Sequence, residues 1–124
     1  MHESDVQTIV RTYLQALDAR DLSRCVDFFT DDATIEFQSG IFQGKQAIEE
    51  WHKMRFAVDF RVISIDGMRT QGDLVIVDAV ATSKRLKAWK IKKLSGRVTL
   101  LLQHGKIRNA KFGIRMTNPL EGWT

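Results

Sequence analysis

The sequence is poor in the features that mark secreted and membrane-spanning proteins. Cys25 is its single cysteine, so no disulfide can form within the chain, and a reducing cytoplasmic location is expected. No apolar run approaches the roughly 20 residues of a membrane span, so we expect no membrane partner. The polar and acidic residues 1–5 lack the basic start and apolar stretch of a secretory signal.

Metal and cofactor motifs are missing as well. His2, His52 and His104 have no ligand spacing with Cys25 or with the acidic residues, so no metal site is expected. The chain has no glycine-rich phosphate loop, no nucleophile elbow and no dinucleotide fingerprint. We therefore expect any chemistry to proceed without a cofactor.

Acidic residues are missing between Ala79 and Leu120, and this absence divides the chain by charge. Residues 1–78 hold 14 acids and 8 bases, whereas residues 79–124 hold 11 bases and one acid, Glu121. Such a division can steer anionic partners, or it can help two copies dock acidic face to basic face. The sequence leaves both open.

The densest basic stretch, residues 84–93, surrounds Trp89. Basic residues around an exposed tryptophan suit nucleic acid. No nucleic-acid motif accompanies them, however, so nucleic acid is not the expected partner. A solvated hairpin edge, where lysines prevent strand-to-strand aggregation, is the favoured interpretation, although the role of residues 84–97 stays open.

What is present fits one globular domain over residues 1–124, with 44% hydrophobic and 27% charged residues. Apolar residues recur at three- and four-residue steps and predict a first helix capped by Ser4 or Asp5. Its stripe consists of Val6, Ile9, Val10, Tyr13, Leu14 and Leu17. Asp21 predicts the cap of a second helix that carries Phe29 and ends at Asp31-Asp32, and residues 45–56 predict a third.

The second half of the chain has the two-residue period of strands. A short strand is predicted at residues 33–38, before a turn at Ser39-Gly40. Longer strands are predicted at residues 60–65, 74–81, 98–103 and 106–116, with turns at residues 71–73 and 104–105. Pro119 and Gly122 indicate an irregular tail. Short turns imply antiparallel pairing, so we expect an α+β fold in which a curved sheet forms a concave interior suited to a small ligand.

Four segments occur in an order that is typical of one family. The pattern Y-x-x-A-L-x-A-x-D begins at Tyr13, F-x-D-D-A begins at Phe29, G-x-x-A-I begins at Gly44, and H-G-K-I begins at His104. Together they resemble SnoaL-like and ketosteroid-isomerase-like proteins of the nuclear transport factor 2-like superfamily. The resemblance implies a cone-shaped, cystatin-like fold, in which a curved antiparallel sheet wraps around N-terminal helices. It also implies a homodimer paired through the outer face of the sheet.

The resemblance assigns roles to three positions. Tyr13 matches the tyrosine that ketosteroid isomerases use to hydrogen-bond a developing enolate, although a core tyrosine with a satisfied hydroxyl is an alternative. His52 matches a second tyrosine that bonds the first, so a Tyr13–His52 pair with the imidazole as proton relay is expected, unless His52 is a boundary residue. Phe37 stands where those enzymes carry their aspartate base, and phenylalanine cannot abstract a proton. Ordinary ketosteroid isomerase activity is therefore not expected.

Asp78 interrupts an otherwise apolar strand and is the acid that we predict to be catalytic. By alternation it shares a face with Ile76 and Val80, and the resemblance places that face toward the cavity. Partial desolvation there would raise its pKa toward the range of a general acid or base. The alternative is a structural aspartate paired with Arg61, Arg97 or Arg108.

Four further residues are predicted to contact the ligand. Trp51 and Phe37 would line the cavity wall, with Phe112 beside them, while simple core packing is the alternative for Trp51. Arg55, one turn after Trp51, would bind an anionic group or lie on the surface. Cys25 has core spacing and is predicted to be inert packing.

Two functions compete at this point. The first is a cofactor-independent isomerase, cyclase or dehydratase acting on a small apolar molecule of steroid, terpenoid or polyketide type, with Asp78 as proton acceptor and Tyr13 and His52 as donor and relay. The second is a non-catalytic module for ligand binding or dimerisation. Phe37 favours this function, because it stands at the position of the expected base. A small apolar ligand and a second copy of the chain are the expected partners.

Overall fold

The computed structural model describes residues 3–38 and 40–114, and it places helices on one side of a single curved sheet. The helices are α1 (Glu3–Asp18), α2 (Leu22–Asp27), α3 (Lys45–Ala57) and α4 (Lys84–Ala88). The strands are β1 (Phe29–Phe37), β2 (Gly40–Gln43), β3 (Arg61–Gln71), β4 (Leu74–Thr82), β5 (Leu94–Gln103) and β6 (Lys106–Ile114).

The sheet has the order β2-β1-β6-β5-β4-β3 and stays open, with β2 and β3 at its edges. Short turns join β3 to β4 and β5 to β6, and these pairs are antiparallel as predicted. In the second turn His104 and Gly105 both have positive φ, as a two-residue hairpin turn requires. The α+β fold with helices on a curved sheet is therefore confirmed. Two pairs were not predicted. The short strand β2 pairs antiparallel with β1, and β1 runs parallel to β6, which makes the sheet mixed.

The two faces of the sheet differ sharply. The inner face packs against α1 and α3, and it includes Val75, Val77 and Ala79 of β4, all buried. The outer face carries the alternate residues of the same strands, among them Ile76, Asp78 and Val80. The predicted stripe of α1 is confirmed, since its residues form the helical side of this core.

Several predicted boundaries differ from the structure. Asp5 and Ser4 lie inside α1, so neither is its cap. Asp21 does cap α2 and accepts from the amide of Arg24 at 3.2 Å, but α2 ends at Asp27 because Phe29 already begins β1. Residues 115 and 116 of the predicted last strand, and the predicted irregular tail, lie outside the described residues.

The basic stretch is not a hairpin edge, contrary to the sequence-based interpretation. Residues 84–88 form α4, which begins after Ser83, whose hydroxyl accepts from the amide of Leu86. The amide of Lys84 donates to the carbonyl of Val58 at 2.7 Å, so α4 lies beside the end of α3. Trp89 follows α4 and is 65% exposed.

No helix among residues 3–38 and 40–114 is long and apolar enough to cross a membrane.

Candidate active site

Tyr13 and His52 meet in the core, where α1 passes α3. Tyr13 belongs to the buried stripe of α1, and His52 follows Trp51 on the buried side of α3; both are fully buried. The hydroxyl of Tyr13 lies 2.8 Å from Nε2 of His52. The predicted Tyr13–His52 contact is therefore confirmed, whereas the role of the pair in catalysis stays a prediction.

The hydrogen bonds of His52 determine which of its two ring nitrogens carries the hydrogen. Nδ1 lies 2.7 Å from the carbonyl oxygen of Ile48, which can only accept, so Nδ1 carries the hydrogen. Burial lowers the pKa of His52 to about 4, and the bond to Ile48 opposes this shift only partly. The imidazole is thus neutral at pH 7, Nε2 is an acceptor, and Tyr13 donates to it.

Burial also raises the pKa of Tyr13 well above its usual value. A tyrosine that donates its single proton to His52 has none left for a ligand oxygen. In this arrangement Tyr13 can still accept a hydrogen bond from a ligand hydroxyl. Tyr13 and His52 are therefore both neutral, and each provides the hydrogen-bond partner of the other.

Aromatic rings surround the pair and fill the inner side of the sheet. The ring of Trp51 lies 4.7 Å from that of Phe112, 4.9 Å from the imidazole of His52 and 5.8 Å from the ring of Phe37. Phe37 and Phe112 are direct neighbours across the parallel β1–β6 pair. The structure thus brings together Trp51, Phe37 and Phe112, the three aromatic residues that were predicted to contact ligand.

Arg55 joins this group from the end of α3. Its guanidinium carbon lies 4.3 Å from the ring centre of Phe37 and 5.8 Å from that of Trp51, within the range of cation–π attraction. Burial lowers the pKa of Arg55, and the charge of Arg85 acts in the same direction. The Arg55 side chain is therefore half-buried over two aromatic rings rather than fully exposed on the surface.

Asp78 does not join the group, and its expected direction is wrong. It does share a face with Ile76 and Val80, but that face is the outer one, while Val75, Val77 and Ala79 face the helices. Its carboxylate accepts from Arg97 Nε at 2.8 Å and from Arg97 Nη2 at 3.3 Å. The structural alternative, an aspartate paired with Arg97, is the one that the structure shows, and Asp78 cannot act on a molecule held at the inner face.

The surface clefts in the described part of the chain include two of about 440 Å³ each. One lies between α1 and β3, beside Leu14 and Val62, and the other lies between α2 and α3, beside Val26 and Gln46. Neither is lined by a predicted site residue. At the inner face, Tyr13, His52 and Trp51 are fully buried, and Phe112 is 9% exposed.

Sequence reasoning missed two groups of neighbours. Phe29 and Phe56 flank the imidazole of His52 at ring distances of 5.7 and 6.2 Å. Both are apolar residues within or beside predicted elements. The sequence does not show which apolar side chains contact His52, and only the fold does. The charge of Arg85 acts on Arg55 because α4 begins beside the end of α3, where the amide of Lys84 bonds Val58. No local sequence pattern predicted α4.

Among residues 3–38 and 40–114, no three His, Cys, Asp or Glu side chains gather in a way that could hold a metal ion. Cys25 is fully buried, and burial raises the pKa of its thiol to about 12, which fits the predicted role as packing.

The model of the SnoaL-like domain matches residues 10–110 of this sequence. No curated protein matches it. The matched residues run from α1 into β6 and include the inner-face aromatic residues Phe37 and Trp51.

Solved structures share the fold at low sequence identity. SalBIII, an epoxide hydrolase/cyclase-like enzyme in pyran ring formation in the polyether salinomycin, has a TM-score of 0.81 and 21% identity, covering 94% of this chain and 95% of that chain. A candidate polyketide cyclase from Sinorhizobium meliloti has a TM-score of 0.77 and 19% identity, covering 90% and 99%. A candidate ketosteroid isomerase from Kribbella flavida has a TM-score of 0.77 and 15% identity, covering 92% and 80%. Identities this low show a shared fold, not a shared activity.

Proposed function

We propose that this chain, which belongs to the SnoaL-like domain family, binds a small, largely apolar molecule at the inner face of its sheet without performing acid–base chemistry on it. The binding surface consists of Trp51, Phe37 and Phe112, with Arg55 at its edge. Aromatic rings of this kind supply large apolar contact area, and the few polar groups beside them set the ligand's orientation.

The observation that carries this proposal is that the described residues place no fully buried carboxylate beside the aromatic rings. The buried polar side chains among the described residues are His52, Thr82 and Ser83, and none of them is a carboxylate. Asp78 lies on the other face, and Phe37 occupies the position where a base was expected. His52 is a weak base with a pKa of about 4, and its Nε2 is already bonded to Tyr13. A site without an available base suits binding better than proton abstraction.

Binding and turnover can be measured on the same samples. Neutral steroids, monoterpenoids and aromatic polyketide-like compounds are titrated by calorimetry, and the mixtures are then analysed by mass spectrometry. We expect at least one class to bind and no class to be converted. Phe112→Ala should weaken this binding, because it removes a ring that packs on Trp51, whereas the matched surface change Ile63→Ala should leave it unchanged. Absence of binding in every class would overturn the proposal.

A second candidate is a cofactor-independent isomerase, cyclase or dehydratase. Two observations favour it: the buried Tyr13–His52 pair, and the names of similar structures, which describe a cyclase-like enzyme and candidate cyclase and isomerase proteins. In this candidate, a ligand hydroxyl gives its proton to Tyr13 while Tyr13 passes its own to Nε2 of His52. Conversion of any compound in the panel that falls about 10²–10⁴-fold in both Tyr13→Phe and His52→Gln would establish it in place of the binding function.

Three further statements are proposals as well. We propose that residues 1–124 form one domain, that the protein is cytoplasmic, and that it forms a homodimer through the outer face. Leu101 supports the dimer because it is an exposed leucine on β5 of that face. Trp89 and Ile91 are also exposed apolar residues, but they lie at and after the end of α4.

A further inference from the structure

Two buried hydrogen-bond donors at the proposed binding surface have no acceptor among the described residues. Nε1 of Trp51 belongs to a side chain that is fully buried, and Nε of Arg55 is buried as well. Buried donors are seldom left unbonded in folded proteins, so each one needs an explanation. The two residues lie one turn apart on α3, so both donors belong to the same part of the surface.

Arg55 is also unusual in its charge environment. Arg61 and Arg97 bond Asp18 and Asp78 at 2.9 and 2.8 Å. Arg55 is more deeply buried than either, yet no described carboxylate lies within ion-pair distance of it. Its neighbours are the rings of Phe37 and Trp51, together with a second cation, Arg85.

We infer that the bound molecule carries a carboxylate, which accepts hydrogen bonds from Arg55 and from Nε1 of Trp51 while its apolar part packs against Phe37 and Phe112. This inference rests on the proposed binding function and adds the chemical class of the ligand, an apolar organic acid. A guanidinium offers paired donors that match a carboxylate, and an indole nitrogen can only donate, so both groups select an acceptor. The positive charge of Arg85 favours an anion further.

The test compares two probes of the same shape, β-naphthoate and β-naphthylmethanol, which differ in the carboxylate. Calorimetry on the full chain measures both affinities, and a proton–nitrogen correlation spectrum follows the indole signal of Trp51, identified by its loss in Trp51→Phe. We expect the acid to bind about tenfold or more tightly than the alcohol and to shift the Trp51 indole signal downfield. Arg55→Gln should weaken binding of the acid about tenfold more than binding of the alcohol, and so remove this preference. Lys53→Gln is the matched control on the same helix, because Lys53 is exposed and pairs with Glu50, and it should keep the preference.

The outcomes separate the inference from the function on which it rests. Equal affinity for acid and alcohol, unchanged in Arg55→Gln, would overturn the carboxylate and leave apolar binding in place. Binding of neither probe, with no change in the Trp51 signal, would overturn both. Glu121 lies outside the described residues and is the single acid of the basic half of the chain. A shift of the Trp51 signal in Glu121→Gln without any probe would show that the chain's own carboxylate fills the site, and that result would also overturn the inference.

Discussion

At the scale of single residues, the direction of one hydrogen bond decides what Tyr13 is able to do. The bond from Nδ1 of His52 to Ile48 leaves Nε2 as an acceptor, and Tyr13 must then donate. The resemblance to ketosteroid isomerases predicted the contact but not its direction. That direction depends on a backbone carbonyl one helical turn before His52, which a residue pattern does not show.

Tyr13→Phe should destabilise the fold by about 1–3 kcal/mol, because it leaves Nε2 of His52 buried without a partner. The free energy of unfolding in urea measures this loss. Thr12→Val is the matched control, since the exposed hydroxyl of Thr12 donates to the carbonyl of Thr8 on the same helix and its loss should cost less than about 0.5 kcal/mol. Equal stability of Tyr13→Phe and the wild type would show that the bond is not formed in solution.

The lowered pKa of His52 predicts a pH dependence of stability with a definite sign. The unfolded imidazole binds a proton below its ordinary value of 6.5, whereas the folded one does so only below about 4. Between these values the unfolded chain holds more protons, so the free energy of unfolding falls as the pH falls, by up to about 3 kcal/mol from this group.

Urea unfolding at several pH values between 7 and 4 tests that dependence. Because carboxylates also titrate in this range, the informative quantity is the difference between the wild type and His52→Gln. The variant should lose less stability on acidification than the wild type. Parallel curves would mean that His52 titrates normally in the folded protein, and the proton would then be available for relay chemistry.

At the scale of elements, period and spacing predict some parts of the molecule and not others. The stripe of α1, the alternation of β4 and the His104-Gly105 turn follow from local chemistry, and the structure agrees with each. The pairing of β1 with β6 joins residues about 75 positions apart, and α4 is a short basic segment with no apolar stripe. Both depend on tertiary contacts, so the parallel pair and the neighbourhood of Arg55 were beyond sequence reasoning.

The wrong prediction with the largest consequence concerns which face of β4 points toward the helices. Alternation correctly grouped Asp78 with Ile76 and Val80, but alternation alone does not say which group faces the helices. The choice was made by resemblance, and it was wrong for β4. The candidate site predicted from sequence therefore retained its aromatic residues, Arg55 and the Tyr13–His52 pair, and lost its base.

Asp78→Asn should leave the inner face unchanged, because the Asp78 carboxylate lies on the outer face, where it pairs with Arg97. The indole signal of Trp51 and the pH titration of His52 should both match the wild type. Phe112→Leu is the positive control, since its ring lies 4.7 Å from that of Trp51 and its removal should move the indole signal. A shift in Asp78→Asn as large as that in Phe112→Leu would return Asp78 to the inner site.

At the scale of the whole molecule, two features bear on how copies of the chain meet. The sequence is divided into an acidic part and a basic part, with 14 acids before Ala79 and one after it. The outer face also carries apolar residues on neighbouring strands, where Leu74 pairs with Leu101 and Ile76 pairs with Thr99. The first feature would hold a dimer by charge, and the second would hold it by burial of apolar area.

Leu101→Lys separates these possibilities. Leu101 is 39% exposed in the isolated chain, so a lysine there should be tolerated in the fold but should repel its copy across a two-fold interface. Sedimentation velocity should show a dimer for the wild type and a monomer for Leu101→Lys, and the wild-type dimer should persist in high salt. Met54→Lys changes an exposed methionine of α3, away from the outer face, and should remain dimeric. The opposite result is a wild-type dimer that dissociates in high salt and a Leu101→Lys variant that is still dimeric at low salt. It would assign the contact to the acidic and basic parts of the chain. Salt screens exposed charges beyond about 10 Å at 0.1 M, whereas it does not weaken apolar contacts in this way.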